Sequence, residues 1–395
     1  MLMKIFRIRI ILLFIMTIVL GLAVYAPLAR ADDSPSPPGV SAKSVVLINA
    51  GTGQVLYSLN PDEPLPMAST TKMMTALLTM ENCKDLNEMV TTSQRAAEVG
   101  ESSVWLSAGE KLTVREMLTG ALVQSGNDAA TALAEHQSGT VEAFVDKMNK
   151  RAAELGMKNT HFTNPHGLDD PAHYTSAADF VRLGTELMKF PLICEIVKSP
   201  YATIPWTGQP YGRSLTNHNH LLEQYPFING IKTGYTDNAG QCIVMSASEN
   251  GVSLILAYLG GPSLSQRDSE VVSLVRFGFD SYQQRTVIEQ GTRYASIDIP
   301  FEWGRKMELA SADELVRTVY VKDNVVHQLT LPEGVELPLH KGDKIGIVEA
   351  YDGGRLLGSS YLVATEDIPE PGYRDRITYY MHSVFNLVLS AIIPG

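Results

Sequence analysis

Cysteine is scarce in this chain: Cys83, Cys194 and Cys242 are the only three in 395 residues, far apart and without a C-x-x-C pair. An odd, scattered set supports neither a disulfide framework nor a zinc ribbon, so the three read as buried fillers. Positive charge is also in short supply, with 32 Lys and Arg against 43 Asp and Glu and a net charge of −11. Residues 1–31 contain Lys4, Arg7, Arg9 and Arg30 but no acid, so without them the balance would be 28 basic against 43 acidic residues, or −15. That excess excludes nucleic acid as a natural partner. No internal repeat is visible and no H-E-x-x-H occurs, which removes the commonest zinc-peptidase signature.

What is present divides the chain into stretches. Lys4, Arg7 and Arg9 precede an apolar run from Ile10 to about Tyr25, and Ala29-Arg30-Ala31 offers a small-x-small cleavage site, so residues 1–31 read as an export signal peptide. A Ser/Pro linker covers 32–40. Residues 41–285 then read as one α+β unit. "SVVLINAGTGQVLYSLN" is two β-rich runs around Gly51-Thr52-Gly53, and helical spacing dominates from Met67 to Lys189. Strands return near Asn229, where "QCIVMSASENGVSLILAYLGG" is a hairpin about Asn250-Gly251. Strands at both ends with helices between imply an antiparallel sheet closed by distant segments and flanked by helices. Residues 286–370 change to short alternating runs, a small all-β domain, with turn signals at Asp323-Asn324 and Asp352-Gly353-Gly354.

Residues 371–395 end the chain as an amphipathic helix. From Ile377 to Ile393 there is no acid, Lys or Arg, yet Thr378, His382, Asn386 and Ser390 form a narrow polar stripe. About 17 residues at 1.5 Å each reach about 25 Å, short of the roughly 30 Å hydrocarbon core. The helix is expected to lie in a membrane surface, with Arg374 and Arg376 near headgroups.

Three short patterns could carry chemistry. In "MASTTKMMTALL" Ser69 falls where a helix N-cap would be, one turn ahead of Lys72. The pair shares a helix face, so a neutral Lys72 could take the Ser69 proton, provided burial or a second cation depresses its pKa. "VQSGNDAA" puts Ser125-Gly126-Asn127 in a loop between helices, with a hydroxyl able to relay a proton and an amide able to hold a peptide group. "NGIKTGYTDNAG" puts Lys232-Thr233-Gly234 at the start of the late β region: a cation, a hydroxyl, and a position where another backbone could lie against a strand.

The order S-x-x-K, then S-x-N 56 residues later, then K-T-G after another 107, resembles the serine penicillin-recognising arrangement. The chain resembles the D-alanyl-D-alanine carboxypeptidases, the low-molecular-mass penicillin-binding proteins. The stretch "LGMKNTHFTNPHGLDDPAHYTSAADFVRLG", the β domain and the amphipathic tail extend the likeness from Ser41 to Gly395. The resemblance implies a β-lactamase/transpeptidase-like catalytic fold and an acyl-enzyme on Ser69, with Lys72 as base and Ser125 passing the proton to the leaving D-alanine. Asn127 would hold the substrate amide, and Lys232 would keep the site positive. The oxyanion would sit between the N–H groups of Ser69 and Tyr235, and Thr233 and Arg267 would take the terminal carboxylate. Gly234 completes the substrate-binding triplet.

It further implies peptidoglycan stem peptides as substrate, β-lactams as inhibitors, no cofactor, and a place at the outer face of the cytoplasmic membrane or in the cell wall. Two other readings share the motifs: a class A-like β-lactamase, for which no E-x-x-x-N lies between Asn127 and Lys232, and an inactive wall-binding scaffold of the same fold. A metal site at His161, His166, Asp169, Asp170 and His173, or at His218 and His220, is disfavoured by ligand pattern; these read as polar loops.

Overall fold

The computed structural model describes residues 35–392, with side chains to Phe385; the expected signal peptide at 1–31 and the first linker residues lie outside them. Every residue of strand β1 (Ser44–Asn49) is buried, and its side chains divide by parity: Val45 and Leu47 face one core, Val46 and Ile48 the other. A strand apolar on both faces belongs inside a sheet covered on both sides. It turns back into β2 (Val55–Leu59) as expected, with Asn49 Oδ1 accepting the N–H groups of Gly51 and Thr52 at 2.9 and 3.1 Å.

The chain then makes a 3₁₀ turn at Ala68–Thr71 and enters α1 (Lys72–Asn82), which is buried from Lys72 through Thr79. Ser69 is therefore inside the 3₁₀ turn and not at a helix N-cap, since Thr71 occupies the cap position of α1. The helical stretch that follows is interrupted by a ribbon of β3 (Met89–Thr91) and β4 (Lys111–Thr113), with α2 (Gln94–Ala97) between them. Next come α3 (Val114–Leu122), started by a Thr113/Glu116 capping box, then α4 (Asn127–Ser138), α5 (Val141–Glu154), α6 (Ala177–Leu187) and α7 (Pro191–Lys198). Strands return earlier than Asn229, as the separate pair β5 (Tyr201–Ile204) and β6 (Arg213–Thr216), too short to show a clear period.

After α8 (Leu221–Gln224), strands β7 (Ile228–Thr236), β8 (Gly240–Glu249) and β9 (Val252–Gly261) complete the main sheet. Its order is β2-β1-β9-β8-β7, antiparallel throughout, so the first and last strands of the unit meet at β1 and β9. The Asn250-Gly251 turn has φ of 50° and 80°, the left-handed pair that a two-residue hairpin requires. One face of the sheet is covered by the helices α1 to α7, and the other by α9 (Leu264–Asp280) through Val271, Leu274, Val275 and Phe279. β7 is an edge strand, and the 3₁₀ turn that carries Ser69 packs against the face of it at Gly234.

The remainder is all β until the last helix. Strands β10 (Tyr282–Ile288), β11 (Arg293–Asp298), β12 (Lys306–Ser311), β13 (Leu315–Tyr320), β14 (Val326–Thr330), β15 (Lys344–Asp352) and β16 (Arg355–Ala364) form a five-stranded sheet, β11-β12-β16-β15-β14, and a β10-β13 pair around a core of their own. Helix α10 (Tyr373–Ile392) stacks Tyr379 and His382 on Trp303 of the β11–β12 turn, at 5.5 and 4.8 Å between ring centres, and leaves Tyr380, Met381, Val384 and Phe385 exposed. No helix among the described residues is long and apolar enough to cross a membrane. Of the cysteines only Cys242 is fully buried; Cys83 and Cys194 are half-buried beside carbonyls, so filler describes one of the three.

Candidate active site

Ser69 follows Ala68, which is held at φ 48°. A β-carbon at Gly167 would stand 1.9 Å from the Ala68 carbonyl oxygen, and one at Gly234 would stand 3.0 Å from the Ser69 nitrogen. The turn is thus pressed between two backbones that tolerate no side chain. Gly234 on β7 has the close backbone neighbour that the K-T-G pattern implied, and that neighbour is the turn bearing Ser69.

Lys72 Nζ lies 2.9 Å from Ser69 Oγ, 2.7 Å from Asn127 Oδ1 and 2.7 Å from the His166 carbonyl oxygen. Enclosure by protein lowers its pKa well below the usual lysine range; the Lys232 charge adds to this, while Asp128 and Glu101 oppose it. Lys232, also buried, is pulled down to about 7 by desolvation and then by Arg267; its Nζ donates to the Thr233 carbonyl at 3.1 Å. Asn127 opens α4 and has both amide atoms engaged, Oδ1 with Lys72 and Nδ2 with the Gly100 carbonyl at 3.0 Å. Ser125 precedes it at φ 63°.

Ser69, Ser125, Thr233, Gly234, Tyr235 and Arg267 line one cleft of about 360 Å³. Arg267 reaches it from α9, with its guanidinium on Asp268 at 2.7 Å and Gln241 at 3.4 Å. All nine residues singled out from the sequence thus gather here, six on the wall and Lys72, Asn127 and Lys232 behind or beneath it.

Of the titratable side chains on the wall, sequence reasoning missed three. His218 and His220 line the cleft, and burial followed by the Lys232 charge pushes the His218 imidazole down to about 4. Glu101 lines it from the loop before β4. The histidine-rich stretch 161–174 serves as a brace: the Pro165 carbonyl accepts from Thr75 Oγ1 at 2.6 Å, and His173 Nε2 meets Thr71 Oγ1 at 2.8 Å. Asp169 accepts from Thr236 and Asn238, tying the brace to the end of β7. His166 and His173 are held neutral by burial, near 3 and 4. Among the described residues no group of three or more His, Cys, Asp or Glu is arranged to hold a metal.

Comparison with known proteins gives this geometry a family. Residues 31–263 match the family model described as D-alanyl-D-alanine carboxypeptidase. The chain belongs to that family. Within the D-alanyl-D-alanine carboxypeptidases it is 34% identical to DacF of Bacillus subtilis, over 90% of this chain and 95% of that one. It is 30% identical to DacA of Escherichia coli, over 91% and 93% respectively. Residues 282–370 match the C-terminal domain of penicillin-binding protein 5. The crystal structure of penicillin-binding protein 5 from Haemophilus influenzae superposes with a TM-score of 0.62 at 31% identity, covering 85% of this carboxypeptidase-family chain and all of that one.

Proposed function

We propose that the protein is a serine D-alanyl-D-alanine carboxypeptidase that removes the last D-alanine from peptidoglycan pentapeptide stems through an acyl-enzyme on Ser69. The observation that carries the reading is the set of partners around Lys72 Nζ. A neutral amine has two N–H groups and one lone pair. Asn127 Oδ1 and the His166 carbonyl can only accept, so they take the two N–H groups and leave the lone pair for the Ser69 hydroxyl.

As Oγ attacks the carbonyl carbon between the two D-alanines, its proton passes to Lys72 Nζ. The oxyanion rests on the Ser69 and Tyr235 N–H groups. Collapse breaks the C–N bond, and the departing amine gains its proton through Ser125. Water then attacks the ester, the serine oxygen recovers a proton, and the shortened stem leaves. Thr233 and Arg267 take the terminal carboxylate, while the Lys232 charge helps keep Lys72 neutral. Asn127 can hold a substrate amide with the second lone pair of Oδ1 while still holding Lys72. Strand β7, an edge strand that lines the cleft with Thr233, Gly234 and Tyr235, gives the stem a backbone to pair with.

A β-lactam follows the same course up to the ester, and its adduct is expected to reverse slowly. The basic, apolar residues 1–31 support export, and the exposed apolar side of α10 supports a place at the outer face of the cytoplasmic membrane. The test is D-alanine release from a pentapeptide by the mature protein and by Ser69→Ala. Release abolished by the substitution, with a penicillin adduct of the right mass on the wild-type serine, is expected. Rapid turnover of the drug would move the assignment to a β-lactamase, and no release from folded wild-type protein would move it to a scaffold.

A further inference from the structure

Glu101 is the one carboxylate among the side chains lining the cleft, and it stands there at a cost. Its φ is 64°, a region that disfavours residues other than glycine, asparagine and aspartate. The carbonyls on either side of it are both pinned by Asn127, that of Gly100 by Nδ2 at 3.0 Å and that of Ser102 by the backbone N–H at 2.8 Å. Asp128 fixes the next residues through Ser103 Oγ at 2.6 Å and the Leu106 N–H at 3.0 Å. The strained conformation is thus enforced by the same two residues that open α4, and it delivers the side chain to the cleft wall. Among the described residues the Glu101 carboxylate makes no hydrogen bond or ion pair, and its charge opposes the deprotonation of Lys72. Backbone strain and a handicap to the base are both borne for an unpartnered negative charge.

Its placement suits a ligand with two charges. Arg267 and Thr233 approach from the sheet side and Glu101 from the helix side. A stem peptide with a cationic side chain just before its D-alanines would bring a terminal carboxylate to one side of the cleft and a positive charge to the other. We propose that Glu101 is a specificity-determining residue that pairs with such a cationic side chain on the residue before the D-alanines. The inference rests on the carboxypeptidase reading above and adds the kind of stem it prefers.

The experiment compares kcat/KM for D-alanine release from Nα-acetyl-L-Lys-D-Ala-D-Ala and from its Nε-acetylated counterpart, which lacks the ammonium. The wild type is expected to prefer the cationic peptide by about fivefold, the scale of a solvent-accessible ion pair. That preference is expected to shrink as salt rises from about 0.05 M to about 0.5 M. In Glu101→Gln it should fall to about 1. Glu101→Gly should give the same ratio, because glycine accepts the positive φ and the loop keeps its shape. A ratio unchanged in both variants, with both peptides slowed alike, would make Glu101 structural or a general base and overturn the proposal. So would a wild type that cleaves the two peptides equally. A wild type that releases D-alanine from neither would instead overturn the carboxypeptidase reading itself.

Discussion

Placing a methyl group at Gly234 tests whether the edge of β7 sets the position of the nucleophile. In Gly234→Ala the new β-carbon would lie 3.0 Å from the Ser69 nitrogen, 3.1 Å from the Ala68 β-carbon and 3.1 Å from the Met67 carbonyl oxygen. Ordinary contact begins near 3.4 Å, so the turn must retreat from the strand by about 0.4 Å. Two of the three obstructing atoms are backbone, and no side chain can swing aside. Retreat shifts Ser69 relative to Lys72, which is anchored independently on Asn127 and His166. If an error of 1 Å in a reacting group costs about 100-fold, then 0.4 Å costs on the order of 5- to 10-fold in acylation. Overpacking of this kind should cost about 1–3 kcal/mol in stability. The assay is the second-order rate of labelling by a fluorescent penicillin, with thermal unfolding measured on the same sample. Labelling within twofold of wild type would refute the reasoning, since it would mean the turn and strand have slack that the distances deny.

Three other outcomes follow from the same structure. Lys72→Met should lower penicillin acylation by about 10³-fold, and wild-type acylation should reach its plateau well below pH 10.5, because the base must be neutral and its pKa is depressed; a rate still climbing at pH 10 would contradict this. His173 is held near 4 in the fold against 6.5 when unfolded, so the unfolded chain binds the proton first; stability is fully present above about pH 6.5 and lost as pH falls toward 4. Urea unfolding should show on the order of 2–3 kcal/mol less stability at pH 4.5 than at pH 7 from this group, and an equal loss in His173→Gln would exclude it as the source. Arg213→Met, which strands the buried Glu110 carboxylate now 2.7 Å from the guanidinium, should cost about 3–5 kcal/mol, and adding Glu110→Leu should recover most of it; calorimetry of both variants decides.

Much of the architecture was legible because it leaves periodic or punctuated traces. The β-rich run that becomes β1, the turns at Gly51-Thr52-Gly53 and Asn250-Gly251 and the alternation after Arg285 are local properties of neighbouring residues. The three reactive patterns could be read as candidates from their order. Their supports could not, because those are contacts between a side chain and a remote backbone. Nothing about "NPHG" announces that the carbonyls of Pro165 and His166 accept from Thr75 and Lys72, 90 and 94 residues away. The same holds for Glu101, whose unusual φ is imposed by Asn127 from another element, and for His218, whose neutrality depends on burial beside Lys232. Ser69 was misplaced as an N-cap because a 3₁₀ turn running into a helix has the same composition as a cap.

The sheet order also governs when the protein can become reactive. Val45 pairs with Tyr258, 213 residues later, and Ser69 must wait for β7 to close against its turn. At a synthesis rate of about 5–20 residues per second, β1 spends roughly 10–40 s without its partner. Closing so long a loop is entropically costly and slow, which places this chain among the late, non-local folders. From Ser69 until Thr236 has been made, a growing chain therefore carries its serine and lysine without the strand that closes against their turn. Covalent labelling by penicillin thus reports completed tertiary structure as well as chemistry.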